Sequence, residues 1–298
     1  MKRFISANAS EILSMSKDEL KKSIQASEGR IVLSENVCTR EASIGGITNS
    51  EIARAFGADL ILLNCFDAFH PFIFGIDKDI PNVVLELKRL VGCPIGINLE
   101  PVSEDIIASE TIQKIPEGRQ ASIETFKAID QLGFDFVCLT GNPGTGVSND
   151  AIISATKQAK QYFSGLIIAG KMHGAGVKEP VVNIQTVEQL LDAGADIILV
   201  PAVGTVPSFN DRELRQISDL VHEKGGLVLS AIGTSQETSD TDVIKEIAIR
   251  NKIGGVDIQH IGDAGYGGVA PIENIYTLST AIRGVRHTIS RIARSINR

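Results

Sequence analysis

Polar and ionisable side chains that end apolar runs are the groups in this chain able to do chemistry. In chain order they are Glu35 and Asn36, Asn64, Asn98 and Glu100, Thr140 and Asn142, Lys171 and His173, Ser230, then Gln259, His260 and Asp263. Lys171 is the most reactive type among them. A lysine at the end of a buried strand is desolvated, which lowers its pKa toward the range of a nucleophile or base. Alternation along an extended chain would put His173 on the same side as Lys171. Glu35 and Glu100 are then expected as counter-ions of the ammonium. The set suggests acid–base or Schiff-base chemistry on a carbonyl compound. Lys171, His173, Glu100 and Glu35 are its expected catalytic residues, and Asn36, Asn64, Asn98, Thr140, Asn142 and His260 are expected to line the substrate pocket. A structural Lys–Glu pair across the lumen is the competing reading of Lys171.

Two stretches have the composition of anion-binding loops. One is Gly233-Thr234-Ser235; the other is Gly262-Asp263-Ala264-Gly265-Tyr266-Gly267-Gly268, shortly before a helix. Bare backbone N–H groups near a helix N-terminus attract phosphate. The expected phosphate contacts are Gly233, Thr234, Gly262, Gly265, Gly267 and Gly268. Gly141-Asn142-Pro143-Gly144-Thr145-Gly146 is a further glycine-rich loop; it lacks the Lys-Ser/Thr ending of a P-loop. Glu35, Glu100 and Asp263 are the candidate ligands of a metal ion, and oxygen-rich ligation of that kind suits Mg²⁺ better than Zn²⁺.

These residues can meet only if the elements carrying them converge. Eight apolar runs, at 31–37, 59–65, 94–100, 135–140, 166–171, 196–203, 227–232 and 256–260, are each followed by a helix-patterned stretch. Their starts lie about 28 to 41 residues apart, the length of a strand–loop–helix–loop unit. Eight such units predict a closed (β/α)8 TIM barrel, whose strand ends ring one mouth. The helices are expected at 49–56, 83–91, 123–132, 150–162, 186–193, 211–224, 242–251 and 272–283 from their apolar periodicity. Residues 8–27 read as helix, with Ser16 as an N-cap and Glu19 at capping-box spacing. This N-terminal segment, within residues 1–28, would plug the bottom of the barrel. Runs two, four, six and eight begin Gly57-Ala58-Asp59, Gly133-Phe134-Asp135, Gly194-Ala195-Asp196 and Gly255-Val256-Asp257. The recurring unit is therefore a pair of βα units. These aspartates lie at strand entrances and read as turn and cap residues.

Composition limits the partners. The 298 residues suit one barrel domain, with no linker composition to divide them. A formal charge of −7 argues against nucleic acid. No apolar stretch reaches membrane-spanning length, and Asn8, Glu11 and Lys17 interrupt any signal-peptide core. Cys38, Cys65, Cys93 and Cys138 form no CxxC motif and read as reduced thiols of a cytoplasmic protein. The Phe-rich stretch 66–74 is expected to serve as packing, a subunit contact or a lid. The basic run 283–298 reads as a solvated helix face at an oligomer contact, and a homo-oligomer is expected.

Asp263-Ala264-Gly265-Tyr266-Gly267 is similar to the Asp-x-Gly-Tyr/Phe-Gly element of the phosphoenolpyruvate mutase/isocitrate lyase superfamily. The whole chain resembles uncharacterised bacterial barrel proteins of the phosphoenolpyruvate phosphonomutase-like kind. In that superfamily the element lies early in the barrel beside Mg²⁺-binding carboxylates. Here it follows the last run, and the superfamily's Lys-Lys/Arg-Cys-Gly-His-type loop is absent. The resemblance thus implies a role for Asp263 alone. The stretch Leu139-Thr140-Gly141-Asn142-Pro143-Gly144-Thr145-Gly146 is similar to photosystem-biogenesis barrel proteins. The leading expectation is an enzyme acting on a small anionic, phosphorylated metabolite by lyase or isomerase chemistry through Lys171. A Mg²⁺-dependent phosphoenolpyruvate-type mutase or hydrolase and a non-catalytic metabolite-binding barrel are the alternatives.

Overall fold

The computed structural model describes residues 2–102, 113–142, 144–174, 178–207 and 209–298; Pro143 of the third glycine-rich loop lies outside them. The apolar runs become eight strands: β1 (Ile31–Val37), β2 (Leu60–Asn64), β3 (Ile95–Leu99), β4 (Phe136–Leu139), β5 (Leu166–Gly170), β6 (Ile197–Pro201), β7 (Leu227–Ile232) and β8 (Ile258–Ile261). All neighbours pair in parallel, and β8 returns to β1 through Ile31↔Ile258 and Leu33↔His260, closing the barrel. Two short helices precede β1: α1 (Ala9–Leu13) and α2 (Lys17–Gln25). The strands are separated and followed by α3 (Asn49–Ala55), α4 (Val83–Val91), α5 (Ile123–Leu132), α6 (Asn149–Tyr162), α7 (Ile184–Ala193), α8 (Asp211–Glu223), α9 (Thr241–Ile253) and α10 (Ile272–Ala293).

Strand alternation divides the side chains into two cores. Val32, Ile61, Ile97, Val137, Ile167, Ile198, Val228 and Ile261 pack outward into the shell of helices. Ile31, Leu33, Leu60, Leu62, Phe136, Cys138, Ile168, Leu199 and Leu229 fill the lumen. Phe136 occupies the space of two positions there, because a Cβ on Gly96 of the neighbouring strand would lie 2.0 Å from its ring. The N-terminal segment seals the lumen from below with Phe4, Ile5, Ile12, Leu20 and Ile24. The single helix expected over 8–27 is broken by Ser16, which is extended and caps α2 from Glu19 N–H while Glu19 caps it in return. A Ser side chain competes with helical hydrogen bonding and so starts a new helix instead of continuing the old one.

The aspartates of the alternate strands do more than cap turns. Asp59 accepts the backbone N–H of Val32, Asp135 that of Ile95, Asp196 that of Ile167 and Asp257 that of Val228. In return each aspartate's own N–H donates to the carbonyl of the same residue. The barrel entrance is therefore laced in four strand couples, β1–β2, β3–β4, β5–β6 and β7–β8. Each carboxylate has a basic partner: Arg283 and Arg291 for Asp59, Lys88 for Asp135, Lys17 and Lys21 for Asp196, and His222 for Asp257. This corrects the reading of 283–298 as a solvated face. Gly284, with φ 72° and ψ 162°, kinks α10 and turns its last part under the barrel. Arg283 and Arg291 are buried there on Asp59, and Arg291 also lies over the ring of Phe4. No helix among the described residues is long and apolar enough to cross a membrane.

Candidate functional site

The carboxyl ends of the strands surround a cavity of about 450 Å³. Glu35 of β1, Asn64 of β2, Asn98 of β3 and Thr140 after β4 reach it because they continue the inward register of the luminal core. Asn142, His173, Gly233, Thr234, Gly262, Asp263 and Gly265 complete the part of the lining expected from sequence.

Glu35 and His260 form the deepest polar pair. Glu35 Oε2 lies 2.9 Å from His260 Nε2, and the residues are 4% and 1% exposed. Burial raises the Glu35 carboxyl above its ordinary pKa; the His260 hydrogen bond opposes this, and the nearby Asp263 charge adds to it. His260 Nδ1 has no hydrogen-bond partner among the described residues. His260 therefore stands behind Glu35 and does not line the cavity itself.

A second network holds the wall. Asn64 Nδ2 donates to Asp263 Oδ2 (2.8 Å) and to Asn142 Oδ1 (3.0 Å). Asp263 Oδ1 accepts the Tyr266 N–H at 3.0 Å, which folds the last glycine-rich loop over the mouth. Glu100 lies beneath, accepting from Asn142 N–H and Nδ2 (both 2.8 Å) and from Arg119 Nη2 (2.9 Å). It fixes two loops and is absent from the lining.

Several expectations need correction. Lys171 is not in the lining; its ammonium is held by Glu179 in the loop after β5, and neither Glu35 nor Glu100 is its counter-ion. It follows Ile167 and Ala169, which face the helices, and so continues the outward register. Burial lowers its pKa against the opposing effect of Glu179. His173 does line the cavity, and burial lowers its pKa, with Lys171 adding to the effect. The two are thus not a matched pair at the mouth. Asn36 also lies on the outward register, donating to Ser34 Oγ and the Glu35 carbonyl. Gln259 donates to the Ala248 carbonyl on α9. Ser230, next to it on β7, shares the outward register of Val228. Gly267 and Gly268 lie outside the lining; the Gly268 carbonyl accepts from Val37 N–H and ties the loop back to β1.

The metal expectation does not fit the donor set. Glu35 is engaged by His260, both Glu100 oxygens by Arg119 and Asn142, and both Asp263 oxygens by Tyr266 and Asn64. Among the described residues no three His, Cys, Asp or Glu side chains form a group able to hold a metal ion. The lining also departs from an anion site. It carries the carboxylates Glu35, Glu237 and Asp263 and, among the described residues, no lysine or arginine.

Glu237 is the main residue that sequence reasoning missed. It lies in a 3-10 turn, Gln236–Thr238, within a uniformly polar stretch that gives no local signal. Burial raises its pKa, with Asp263 adding to the effect. Tyr266, Ser235, Met172 and Gly174 also line the cavity.

Fold and cavity together define a (β/α)8-barrel protein with an acid-lined cavity at the carboxyl ends of its strands. Within that class the chain belongs to the family described as Domain of unknown function (DUF7916), whose profile matches residues 5–298. No curated protein matches the sequence. Among solved structures, the BexX/CysO complex of Amycolatopsis orientalis contains a chain similar at 12% identity and TM-score 0.51, over 89% of this chain and 92% of that one. A 2,3-dimethylmalate lyase of the phosphoenolpyruvate mutase/isocitrate lyase superfamily is similar at 14% identity and TM-score 0.50, over 88% and 82%. At these identities the likeness is one of fold, and a barrel carries many unrelated reactions.

Proposed function

We propose that the protein is an enzyme that moves a proton at a carbon beside the carbonyl group of a small polar metabolite, in lyase or isomerase chemistry. One observation carries this reading: Glu35 is buried at the cavity wall, hydrogen-bonded through Oε2 to His260, with its carboxyl pKa raised by burial. A carboxyl tuned upward is suited to take and return a proton near neutral pH. In this role the Glu35 carboxylate removes the proton, leaving an enolate. The proton then returns to a neighbouring atom in an isomerase; in a lyase the enolate re-forms the carbonyl, a carbon–carbon double bond forms as the bond from the β-carbon to the leaving group breaks, and the leaving group departs with that electron pair and takes the proton from the Glu35 carboxyl. His260 orients the carboxyl. The Thr140 and Ser235 hydroxyls line the same cavity and can donate to the developing oxyanion. Lys171, held by Glu179 away from the cavity, is no longer the favoured Schiff-base former. The acid lining speaks against a multiply charged phosphate ester. Unpaired cysteines at all four positions suit a reducing cytoplasm.

The test is hydrogen exchange. Small carbonyl metabolites that raise the melting temperature are incubated with the protein in D2O, and loss of the proton beside the carbonyl is followed by NMR. Wild type should exchange it. Glu35→Gln should bind the same compound and exchange it about 10²- to 10⁴-fold more slowly. Equal exchange by Glu35→Gln removes Glu35 from the chemistry. Tight binding without exchange by wild type makes the protein a metabolite-binding barrel.

A further inference from the structure

The cavity carries negative charge that the described residues leave uncompensated. Glu35, Glu237 and Asp263 line it, with no lysine or arginine among the described residues beside them. The basic side chain bonded to any of the three is His260, on Glu35 Oε2. Asp263 is held by neutral donors, Asn64 Nδ2 and the Tyr266 N–H. His173, also in the lining, is pushed toward its neutral form by burial and by Lys171. The three acids feel one another, since the Asp263 charge adds to burial in raising both Glu35 and Glu237. Charges buried in a folded protein are ordinarily matched by an opposite charge. Here the guest is the remaining source of it.

A second observation, independent of charge, shows where a guest is met. Glu35 is 4% exposed, and its Oε1 has no hydrogen-bond partner among the described residues. Asn98 Oδ1 and Thr140 Oγ1 are also unpaired but are sealed from solvent, whereas Glu35 Oε1 is not. The surface that this carboxylate keeps is therefore in the cavity it lines. A metal ion is a poor guest, because both Asp263 oxygens are taken and no three ligating side chains converge among the described residues. An ammonium needs no such shell. It brings its own donors, and one free oxygen in the field of neighbouring carboxylates suffices to hold it. A phosphate or carboxylate on the guest would add to the negative charge. A cavity of about 450 Å³ is of the size that holds a small metabolite.

We propose that the ligand is a small carbonyl compound that carries a primary ammonium group and neither phosphate nor carboxylate, with its positive charge held among Glu35, Glu237 and Asp263. This rests on the reading of Glu35 as the proton-transfer group and names the substrate class for it. The positive charge serves that chemistry twice. It favours the ionised Glu35 carboxylate, the form able to accept a proton. It also stabilises the negative charge that develops when the carbon beside the carbonyl loses its proton.

The experiment is a binding panel by saturation-transfer NMR and calorimetry at about pH 7, each compound to about 10 mM. Aminoacetone, L-alaninamide and D-glucosamine carry the ammonium. Hydroxyacetone, L-lactamide and D-glucose are their neutral counterparts, and L-alanine and D-glucosamine 6-phosphate add an anion. At least one ammonium compound should bind, at least about tenfold more tightly than its counterparts. This comparison is made on wild type and needs no variant to fold. Glu237→Gln, which keeps the shape and removes one charge, should weaken the best ammonium compound about tenfold. Failure of all three ammonium compounds to bind, equal or tighter binding of a neutral or anionic counterpart, or unchanged affinity in a folded Glu237→Gln variant overturns the proposal. The two readings fail separately. An ammonium compound that binds wild type without proton exchange leaves the ligand class standing and removes the chemistry. A neutral carbonyl compound whose exchange requires Glu35, with no ammonium compound bound, does the reverse.

Discussion

Asp59 offers the sharpest test of how the barrel floor is held. Its carboxylate is fully buried between Arg283 and Arg291, whose side chains are 0% and 1% exposed, and it accepts the Val32 N–H at 3.0 Å. Burial alone would raise its pKa, but the two guanidinium groups overcome that and hold it below the ordinary aspartate value. Asp59→Asn keeps the shape but leaves two desolvated cations without a counter-ion, with the buried Arg54 close enough to add to the repulsion. Removing one partner of a buried ion pair costs about 3–5 kcal/mol. At an unfolding entropy of about 2.1 cal/mol/K per residue, the whole chain should lose about 5–8 °C in melting temperature. Asp196→Asn is the internal control. It makes the matching strand contact, but its partners Lys17 and Lys21 are 21% and 23% exposed. Water can replace the lost carboxylate there, so the cost should stay near about 1 kcal/mol. Calorimetry at pH 7, with far-UV circular dichroism to confirm the fold, measures both. An Asp59→Asn variant that melts no lower than Asp196→Asn refutes the claim that buried charge, and not the strand contact, governs the cost.

Three further outcomes are expected. Lys171→Met should retain proton exchange and ligand affinity within about twofold, because the lysine is outside the cavity and the Glu179 carboxylate left behind is 24% exposed and reaches water; loss of exchange measured by NMR would restore Lys171 to the mechanism. Glu35 has a folded pKa raised above its unfolded value. Its contribution to stability is therefore fully present below the unfolded value and is lost as pH rises through the folded one. Melting curves across that interval should show a decline in wild type that Glu35→Gln lacks, and parallel curves would contradict the assignment. Gly96→Ala should destabilise by about 1–3 kcal/mol through overpacking against Phe136, and pairing it with Phe136→Leu should recover much of the loss; chemical denaturation of the single and double variants measures the coupling.

The fold was legible because its signal repeats. Runs ending in polar residues, and Gly-x-Asp at every second entrance, are local patterns that need no knowledge of distant contacts. The site was legible only in part. Strands of a parallel barrel are apolar on both faces, so hydrophobicity gives no register for their ends. Glu35 and Asn36, adjacent in sequence, look equally suited to a pocket, yet only Glu35 reaches it. Lys171 misled for the same reason, and its true partner, Glu179, lies in a loop whose path no local pattern sets. Glu237 had no signal at all, being one polar residue among polar neighbours. Arg283 and Arg291 read as solvated because the Gly284 kink that folds them inward is not encoded by periodicity.

The lacing of strands in couples sets how the molecule can be taken apart. A break in the chain between β4 and β5 leaves every reciprocal Asp–backbone contact inside one fragment or the other, whereas a break between β3 and β4 separates Asp135 from Ile95. The first pair of pieces keeps each of its seams whole and has four matched edges to find; the second must rebuild one from nothing. In this sense the reciprocal Asp–backbone contacts count to four and not to eight.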